Sequence, residues 1–508
     1  MDNIALTDSM RRHYCCISLT LMLLLLIPAA ASASVVTKDS RQETWRVSYV
    51  IRPLLEEGVV EVTAVLMGDV EGSIVWRHAD FSERRASQSR PEAVDGFGQT
   101  LRVTTHPRGW TITGGTGGGM RLTWQVLAAG PDPIGADGVG IGSEALYAPG
   151  YELFLYPDPI LSDAPVEVEG SVQSPPDIQI DVIFDIPISW RIIVPWRGYG
   201  RSYNPEDRNR LWNAVVAAGD FRRFTVRAAG IDVIIGVQGR RPSLDSSLTE
   251  IVERILLFGQ QTFEVATGSR MTIVLPRITR GGKDVIRLGS SVSFGWDSTV
   301  NIPADPTAVH QLARELLLLW QGTPLFAPDW YTEGATDYLA WLMLLRENLI
   351  QRQTFRQQLL LTEQRYRSHP KAGEWSFAEE EARYTARQLT RRNAGAGSDS
   401  LADLPPSTSD RESLARSKGA LAALVLDATI ANLTDGQQRI TDVMGLYYRW
   451  KASSGSGTAM RDSDLMAVCA TIANGNFLDN FFSLQISSTD PPPTATALNY
   501  ILGWEGGG

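Results

Sequence analysis

Two short segments contain the side chains best placed to do chemistry. They are Ala313-Arg314-Glu315-Leu316-Leu317-Leu318-Leu319-Trp320-Gln321-Gly322 and Trp330-Tyr331-Thr332-Glu333-Gly334-Ala335-Thr336-Asp337-Tyr338, each carrying a glutamate in a helical, largely apolar stretch. A carboxylate in such a setting can act as a general base or as a metal ligand. Beyond the first 33 residues the chain has only four histidines, His78, His106, His310 and His369. His310 precedes Arg314 by four residues, so it lies on the same helix face about 6 Å along the axis. His310 with Glu333 and an outside ligand is one conceivable metal set; a capping or surface role is the plainer alternative. His78 and His106 fall in β-rich sequence, and His369 precedes Pro370 in a polar stretch. Gly115 to Gly119 lacks the following Lys-Ser/Thr of a phosphate loop, and no G-x-S-x-G elbow occurs. Cys469, among Met466, Val468 and Ile472, reads as a packed helix thiol. Asn432-Leu433-Thr434 fits a glycosylation acceptor, a triplet common by chance. Trp320, Trp330, Tyr331 and Trp341 could line a cleft or fill a core.

The elements that must position these residues follow from periodicity. Residues 43 to 165 read as strands, with partial alternation in Trp45 to Ile51 and Val59 to Val65 and a glycine-rich tip at Gly114 to Gly119. A second β-rich block includes Ile178 to Ile186, Trp190 to Trp196 and Phe224 to Val237, and together the two predict a sandwich-like N-terminal region. Ser247 to Phe258 has helical spacing. Met271 to Leu275 predicts a buried strand, and Gly281-Gly282 a turn before another strand at Val285 to Phe294. Asp305 can cap, and Pro306 can start, a helix through Trp320. Further helices are expected at Glu333 to Leu349, Arg411 to Leu433 and Ile440 to Trp450. Gly, Ser, Asp and Pro over 393–410 predict a mobile loop. The fold class is α+β and multidomain, with segments 1–33, 34–222, 223–350 and 351–508.

The two segments, taken in order, resemble the glycyl aminopeptidase family of gluzincin zinc peptidases. In that family one helix carries H-E-x-x-H followed by Trp, and the next carries a third ligand in E-G-x-T-D-Y. Gly281-Gly282 before Ser290-Ser291 is similar to the family's glycine-rich edge strand. Lys418-Gly419-Ala420-Leu421 through Leu426-Asp427 is similar to its Y-x-K-G helix, and Asp464-Leu465 with Phe481-Phe482 to its closing helices. The resemblance covers most of the chain and implies an N-terminal β-sandwich, a thermolysin-like α/β domain over 223–350 and a helical domain over 351–508. The PDZ module of many members is not visible.

The resemblance also locates what is missing. Glu315 takes the general-base position and Glu333 the third-ligand position, but Arg314 and Leu318 stand where the two histidines would be. Leucine offers no lone pair and arginine is always protonated, so neither coordinates a cation. Fourteen residues separate Leu318 from Glu333, shorter than the family's usual spacing. Arg416 replaces the oxyanion-stabilising tyrosine of Y-x-K-G. The expectation is that Arg314 points where a metal would sit and pairs with Glu333, and also with Glu315, in a cleft bordered by Asp337, Tyr338 and Arg416. The plain alternative leaves Glu315 and Glu333 as solvated helix residues of no consequence.

Composition sets the remaining bounds. The chain has 508 residues, 43% hydrophobic and 20% charged, which excludes wholesale disorder, collagen and a polytopic membrane protein. A formal charge of −10 argues against a nucleic-acid partner. Arg11-Arg12, the apolar stretch Ile17 to Ile27, Pro28 and Ala31-Ser32-Ala33 form a secretory signal with cleavage after Ala33; an uncleaved anchor is the rival. Cleavage removes Cys15 and Cys16, leaves Cys469 alone with no internal disulfide, and leaves no stable membrane span. The expected location is secreted, in the periplasm. The resulting picture is a pseudopeptidase that needs no cofactor and binds a peptide or an envelope protein. The alternatives are an active aminopeptidase-like enzyme holding zinc at a displaced site, and an envelope scaffold.

Overall fold

The computed structural model describes residues 45–504 apart from 69–70, 80–87, 117, 131–138, 160–177, 240–244, 264–269, 278–284, 296–303, 322–329, 373–375, 378–407, 455–461 and 474–479. The expected leader, Gly281-Gly282 and most of the 393–410 loop therefore lie outside the described residues.

Trp45–Leu54 is the spine of the N-terminal region. Val47, Tyr49 and Ile51 are buried on one face while alternate residues are partly exposed, the two-residue period of a half-buried strand. It pairs antiparallel with Val59–Met67 and parallel with Ile178–Phe184, within a sheet of eleven described strands. A four-stranded sheet built around Glu71–Arg77 and Gly109–Thr116 faces it, and one apolar core fills the space between. Val47, Tyr49 and Trp124 come from the large sheet, and Ile74, Trp76 and Ile112 from the small one. This is the expected sandwich. Gly109–Thr116 and Met120–Gly130 flank the expected glycine-rich tip, of which Gly114 to Thr116 belong to the first strand and Gly117 lies outside the described residues.

Phe221–Ala228 and Ile231–Gln238 belong elsewhere. They form a hairpin in a separate five-stranded sheet, where Ile231–Gln238 runs parallel to Arg270–Leu275. The β-rich pattern grouped Phe224 to Val237 with the sandwich, although the expected segment boundary at 222/223 falls before it; a strand's pattern does not say which sheet it joins. The strand expected over Val285 to Phe294 is likewise two. Val285–Leu288 and Ser291–Phe294 fold antiparallel about Gly289, whose φ of +51° suits a residue without Cβ, and Val285–Leu288 forms the sheet edge.

The helices follow: α1 Asp245–Phe263, α2 Pro306–Gln321, α3 Thr336–Arg346, α4 Arg352–Ser368, α5 Thr408–Leu433, α6 Ile440–Ser454, α7 Asp462–Ala473 and α8 Thr494–Trp504. Asp305 caps α2 by accepting from Thr307 N at 2.9 Å, and Pro306 occupies the first turn. The helix expected from Glu333 begins earlier, as a π-helical turn over Trp330–Ala335 that runs into α3. α5 starts at Thr408, inside the stretch expected to be loop. Every residue from Thr336 to Leu345 is buried, so α3 is the central post of one continuous core shared by the five-stranded sheet and the helices. Among the described residues no helix is long and apolar enough to cross a membrane.

Two motif glycines bring the site elements together. Gly334 in the π-turn and Gly419 in α5 lie back to back: a Cβ on Gly334 would sit 2.3 Å from Gly419 Cα, and one on Gly419 would sit 2.5 Å from Trp330 O. Backbone cannot yield as a side-chain tip does. Gly419→Ala is therefore expected to cost about 2–4 kcal/mol in urea unfolding through overpacking. Gly503→Ala, a helical position with nothing within 4 Å of the added methyl, should instead be neutral or stabilising by up to ~1 kcal/mol. Equal stabilities for the two variants would refute this account of the close approach.

Candidate functional site

α2, the π-turn, α3, α5 and the edge strand Val285–Leu288 converge on one buried charge cluster. The spacing of α2 turns Val309, Leu312, Ala313, Leu316 and Leu317 into the apolar core. The same helix leaves His310, Gln311, Arg314 and Glu315 to meet the next elements. Arg314 is 2% exposed, Glu315 0%, Glu333 5% and Asp337 4%, so each needs an internal partner.

The partners are present. Arg314 Nη1 donates to Glu315 Oε1 at 2.6 Å, and its Nη2 donates to Glu333 Oε2. Arg314 Nε stands 3.4 Å from Asp337 Oδ1, an ion-pair distance without hydrogen-bond alignment. Arg287, on the edge strand, donates from Nε and Nη2 to Glu315 Oε2 at 2.9 and 2.6 Å and reaches Glu333 Oε1 at 3.5 Å. Arg416 Nε donates to Asp337 Oδ1 at 2.5 Å. Gln311 completes the ring, donating to Glu315 Oε1 at 2.7 Å and accepting from Arg416 Nη2 at 3.5 Å. Three guanidiniums thus face three carboxylates, and Glu315 accepts four hydrogen bonds.

The electrostatics follow from this pairing. Burial alone would raise the Glu315 carboxyl, but Arg287 and Arg314 outweigh it and hold it below the usual glutamate range. Burial opposes ionisation of Asp337 too, yet the guanidiniums of Arg416 and Arg314 keep it low. Arg314 loses solvation on burial, and Glu315, Glu333 and Asp337 more than compensate, so its guanidinium holds its proton more tightly than in water.

His310 lies beside the cluster, Nε2 3.8 Å from Asp337 Oδ1, but makes no hydrogen bond to its carboxylates. Its imidazole stacks on Trp341, centroids 3.9 Å apart, and Nε2 lies 3.0 Å from the Asp337 carbonyl oxygen. A carbonyl only accepts, so Nε2 carries the hydrogen and cannot offer a lone pair. Burial lowers the His310 pKa to about 4. The other histidines serve turns: His106 Nδ1 accepts from Arg108 N, and His369 Nδ1 from Lys371 N.

The rest of the expected set is structural. Tyr338 OH donates to Asp427 Oδ2 at 2.6 Å, and Asp427 also accepts from Arg439 and from Ile440 N, joining α3 and α5 to the start of α6. Lys418 is fully buried, its ammonium donating to Ser488 O and lying 5.7 Å from the Phe377 ring centre. Trp330, Tyr331 and Trp341 are core residues, not a cleft lining. Cys469 is fully buried, its thiol pushed up to about 12 by burial. Asn432 Oδ1 accepts from Tyr500 OH.

A metal does not fit this donor set. Glu333 is engaged by Arg287 and Arg314, Arg314 itself occupies the centre, and Leu318 is buried and offers no lone pair. Among the described residues no group of three His, Cys, Asp or Glu is arranged to hold a metal ion. Glu315 and Glu333 are not solvated helix residues. Sequence reasoning missed Arg287 and Gln311. Arg287 had a signal, a lone charge in the apolar strand Val285–Leu288 beside the segment similar to the family's edge strand. Gln311 had only its position one helical turn before Glu315.

Two consequences are measurable. Arg314→Met leaves three buried carboxylates facing two arginines and should cost about 3–5 kcal/mol of stability, the usual penalty for orphaning a buried charge. Adding Glu333→Gln to that variant should recover part of the loss, with a coupling of roughly 1–3 kcal/mol in the double-mutant cycle. Additive losses would mean that the two side chains do not interact. The second concerns pH. His310 is neutral in the fold down to about pH 4, whereas an unfolded histidine protonates near 6.5. The unfolded state therefore binds the extra proton between those values, and stability should fall by about 3 kcal/mol as pH drops from 6.5 to 4. The low carboxyls of Glu315 and Asp337 add a further loss only at more acid pH, as their folded-state values are crossed. His310→Phe should flatten the upper part of that profile, and an unchanged slope would exclude His310 as its source.

No protein-family model matches the sequence, and no curated protein sequence does. Solved structures do resemble the fold. An aminopeptidase N family protein from Idiomarina loihiensis superimposes with a TM-score of 0.68 at 16% identity, over 90% of this chain and 78% of that one. An M1 zinc metallopeptidase from Deinococcus radiodurans gives 0.50 at 12% identity, over 89% of this chain and 95% of that one. The chain, laid out as sandwich, central sheet and helical region, thus has a gluzincin peptidase-like fold similar to that of these structures.

Proposed function

We propose that the protein is a secreted pseudopeptidase, a degenerate relative of the glycyl aminopeptidases that uses a peptidase-like fold to bind a peptide or an envelope protein. The observation that carries this is the buried guanidinium of Arg314, bonded to both Glu315 and Glu333. A general base must take a proton from water, and a ligand carboxylate must lend a lone pair. Glu315, with four donors on it and an acidity strengthened by Arg287 and Arg314, is suited to neither. Arg416, where the oxyanion-stabilising tyrosine would stand, is turned to Asp337.

The rival reading, zinc held by His310 and Glu333, draws less support. His310 spends Nε2 on the Asp337 carbonyl, and Glu333 is shared between two arginines. A fixed cation in place of an ion also supplies a reason for Glu315 and Glu333 to persist without chemistry, because losing Arg314 would leave them buried and unpaired.

Elemental analysis of the purified protein after dialysis against micromolar zinc, with an aminoacyl-anilide hydrolysis assay, tests the proposal. The expected result is zinc far below one equivalent and no turnover above the buffer rate. One tightly held zinc per chain, or hydrolysis abolished by Glu333→Ala, would overturn it.

A further inference from the structure

A second polar site lies at the seam between the large N-terminal sheet and the five-stranded sheet. It is a pocket of about 290 Å3. One wall is the hairpin Arg197–Tyr199/Ser202–Asn204 and the single turn Arg208–Trp212; the other is Arg270 and the Gly289-Ser290 turn. Its floor is rigid. Tyr147, Ile193, Val215, Ile234 and Ile286 from both sheets form a small apolar core at this seam. Gly289 lets the walls close up, since a Cβ there would sit 2.5 Å from Asn213 O.

The charge balance is what points to a ligand. Arg210 pairs with Glu206 at 2.5 Å and lies 3.8 Å from Asp207, and Arg197 lies 3.8 Å from Glu206, so those two cations are answered. Arg270 is not. It is partly buried, its Nη1 donates to Trp196 O at 3.0 Å, and among the described residues no carboxylate comes within ion-pair range of it. Its Nε and Nη2 have no hydrogen bond among those residues. The side chains of Asn209, Asn213 and Ser290, which also line the pocket, are equally without one. A guanidinium held by one nitrogen, with its remaining donors free beside two amides and a hydroxyl, matches a planar monoanion. A few convergent polar groups are what fix the orientation of a small ligand, and about 290 Å3 is near the lower end of the volumes that hold one.

We propose that this pocket binds a carboxylate group, with Arg270 as the charge-bearing donor. The group could belong to a free small acid or to the C-terminus of a peptide. Because the pocket shares no residue with the Arg314 cluster, the proposal stands whether or not the protein hydrolyses peptides.

Isothermal titration of the full chain tests it with glutarate, acetyl-glycyl-glycine, the amide of that dipeptide, and inorganic phosphate. Saturable binding of glutarate or acetyl-glycyl-glycine is expected, with none for the amide. Arg270→Gln should weaken it by roughly tenfold or more and Arg270→Lys by less, since lysine keeps the charge but loses the planar fork. Asn213→Ala, which leaves Arg270 in place, should weaken it several-fold and serves if Arg270→Gln unfolds. Binding of glutarate alone would assign a free acid; binding of acetyl-glycyl-glycine would assign a peptide terminus. No binding of either carboxylate, equal binding of the amide, tighter binding of phosphate, or unchanged affinity in Arg270→Gln would each overturn the proposal.

Discussion

The helical half of this protein is organised around a guanidinium out of water. Arg314 lies inside the core, and a bare cation there would be intolerable; Glu315, Glu333 and Asp337 make it tolerable and are made tolerable by it. Neutrality then constrains the surroundings. Three carboxylates need three cations, so Arg287 must arrive from the sheet edge and Arg416 from α5. That ties α2, the π-turn, α3, α5 and the five-stranded sheet to one point. Packing agrees with the charges, because the Gly334–Gly419 contact sets the distance at which α5 can deliver Arg416.

A buried ion network of this kind is weak evidence for net stability and stronger evidence for a specified geometry. Any one of the six charges lost leaves another unpaired, whereas a wholly apolar replacement would leave nothing to satisfy. The arrangement therefore persists as a set. Under the proposed reading, the covalently attached guanidinium of Arg314 meets the electrostatic demand of Glu315 and Glu333 that a metal ion would otherwise meet, without an open coordination position. Likeness of fold therefore does not carry the activity across.

The two halves of the molecule present different surfaces to a ligand. Around Arg314 every carboxylate is engaged by an arginine, and the buried donor without a hydrogen bond, Arg314 Nε, faces Asp337 Oδ1 at 3.4 Å. At the seam of the sheets, Arg270, Asn209, Asn213 and Ser290 keep hydrogen-bonding capacity. Unspent hydrogen-bonding capacity in a pocket is a better marker of binding than the presence of charge, which both places share.

How much of this was legible in the sequence depends on whether the cause is local. Periodicity and capping are local, so α2 with its Asp305-Pro306 start, α1, α6 and the alternation in Trp45–Leu54 could all be read directly. The motif segments located Arg314, Glu315 and Glu333 on successive elements and, through side-chain chemistry alone, showed that Arg314 and Leu318 offer no ligand. What periodicity cannot carry is partnership. Phe221–Gln238 reads as a hairpin in any sheet, and only packing assigned it to the central one. Val285 to Phe294 reads as one strand until the backbone turns at Gly289. Arg287, 28 residues from Glu315, and Arg416, 79 from Asp337, reach their partners only because distant elements meet. The sequence by itself determined which charges exist and that Arg314 and Leu318 offer no lone pair to a metal. The tertiary structure decided which charges meet, because burial makes pairing compulsory and only the fold says who is within reach.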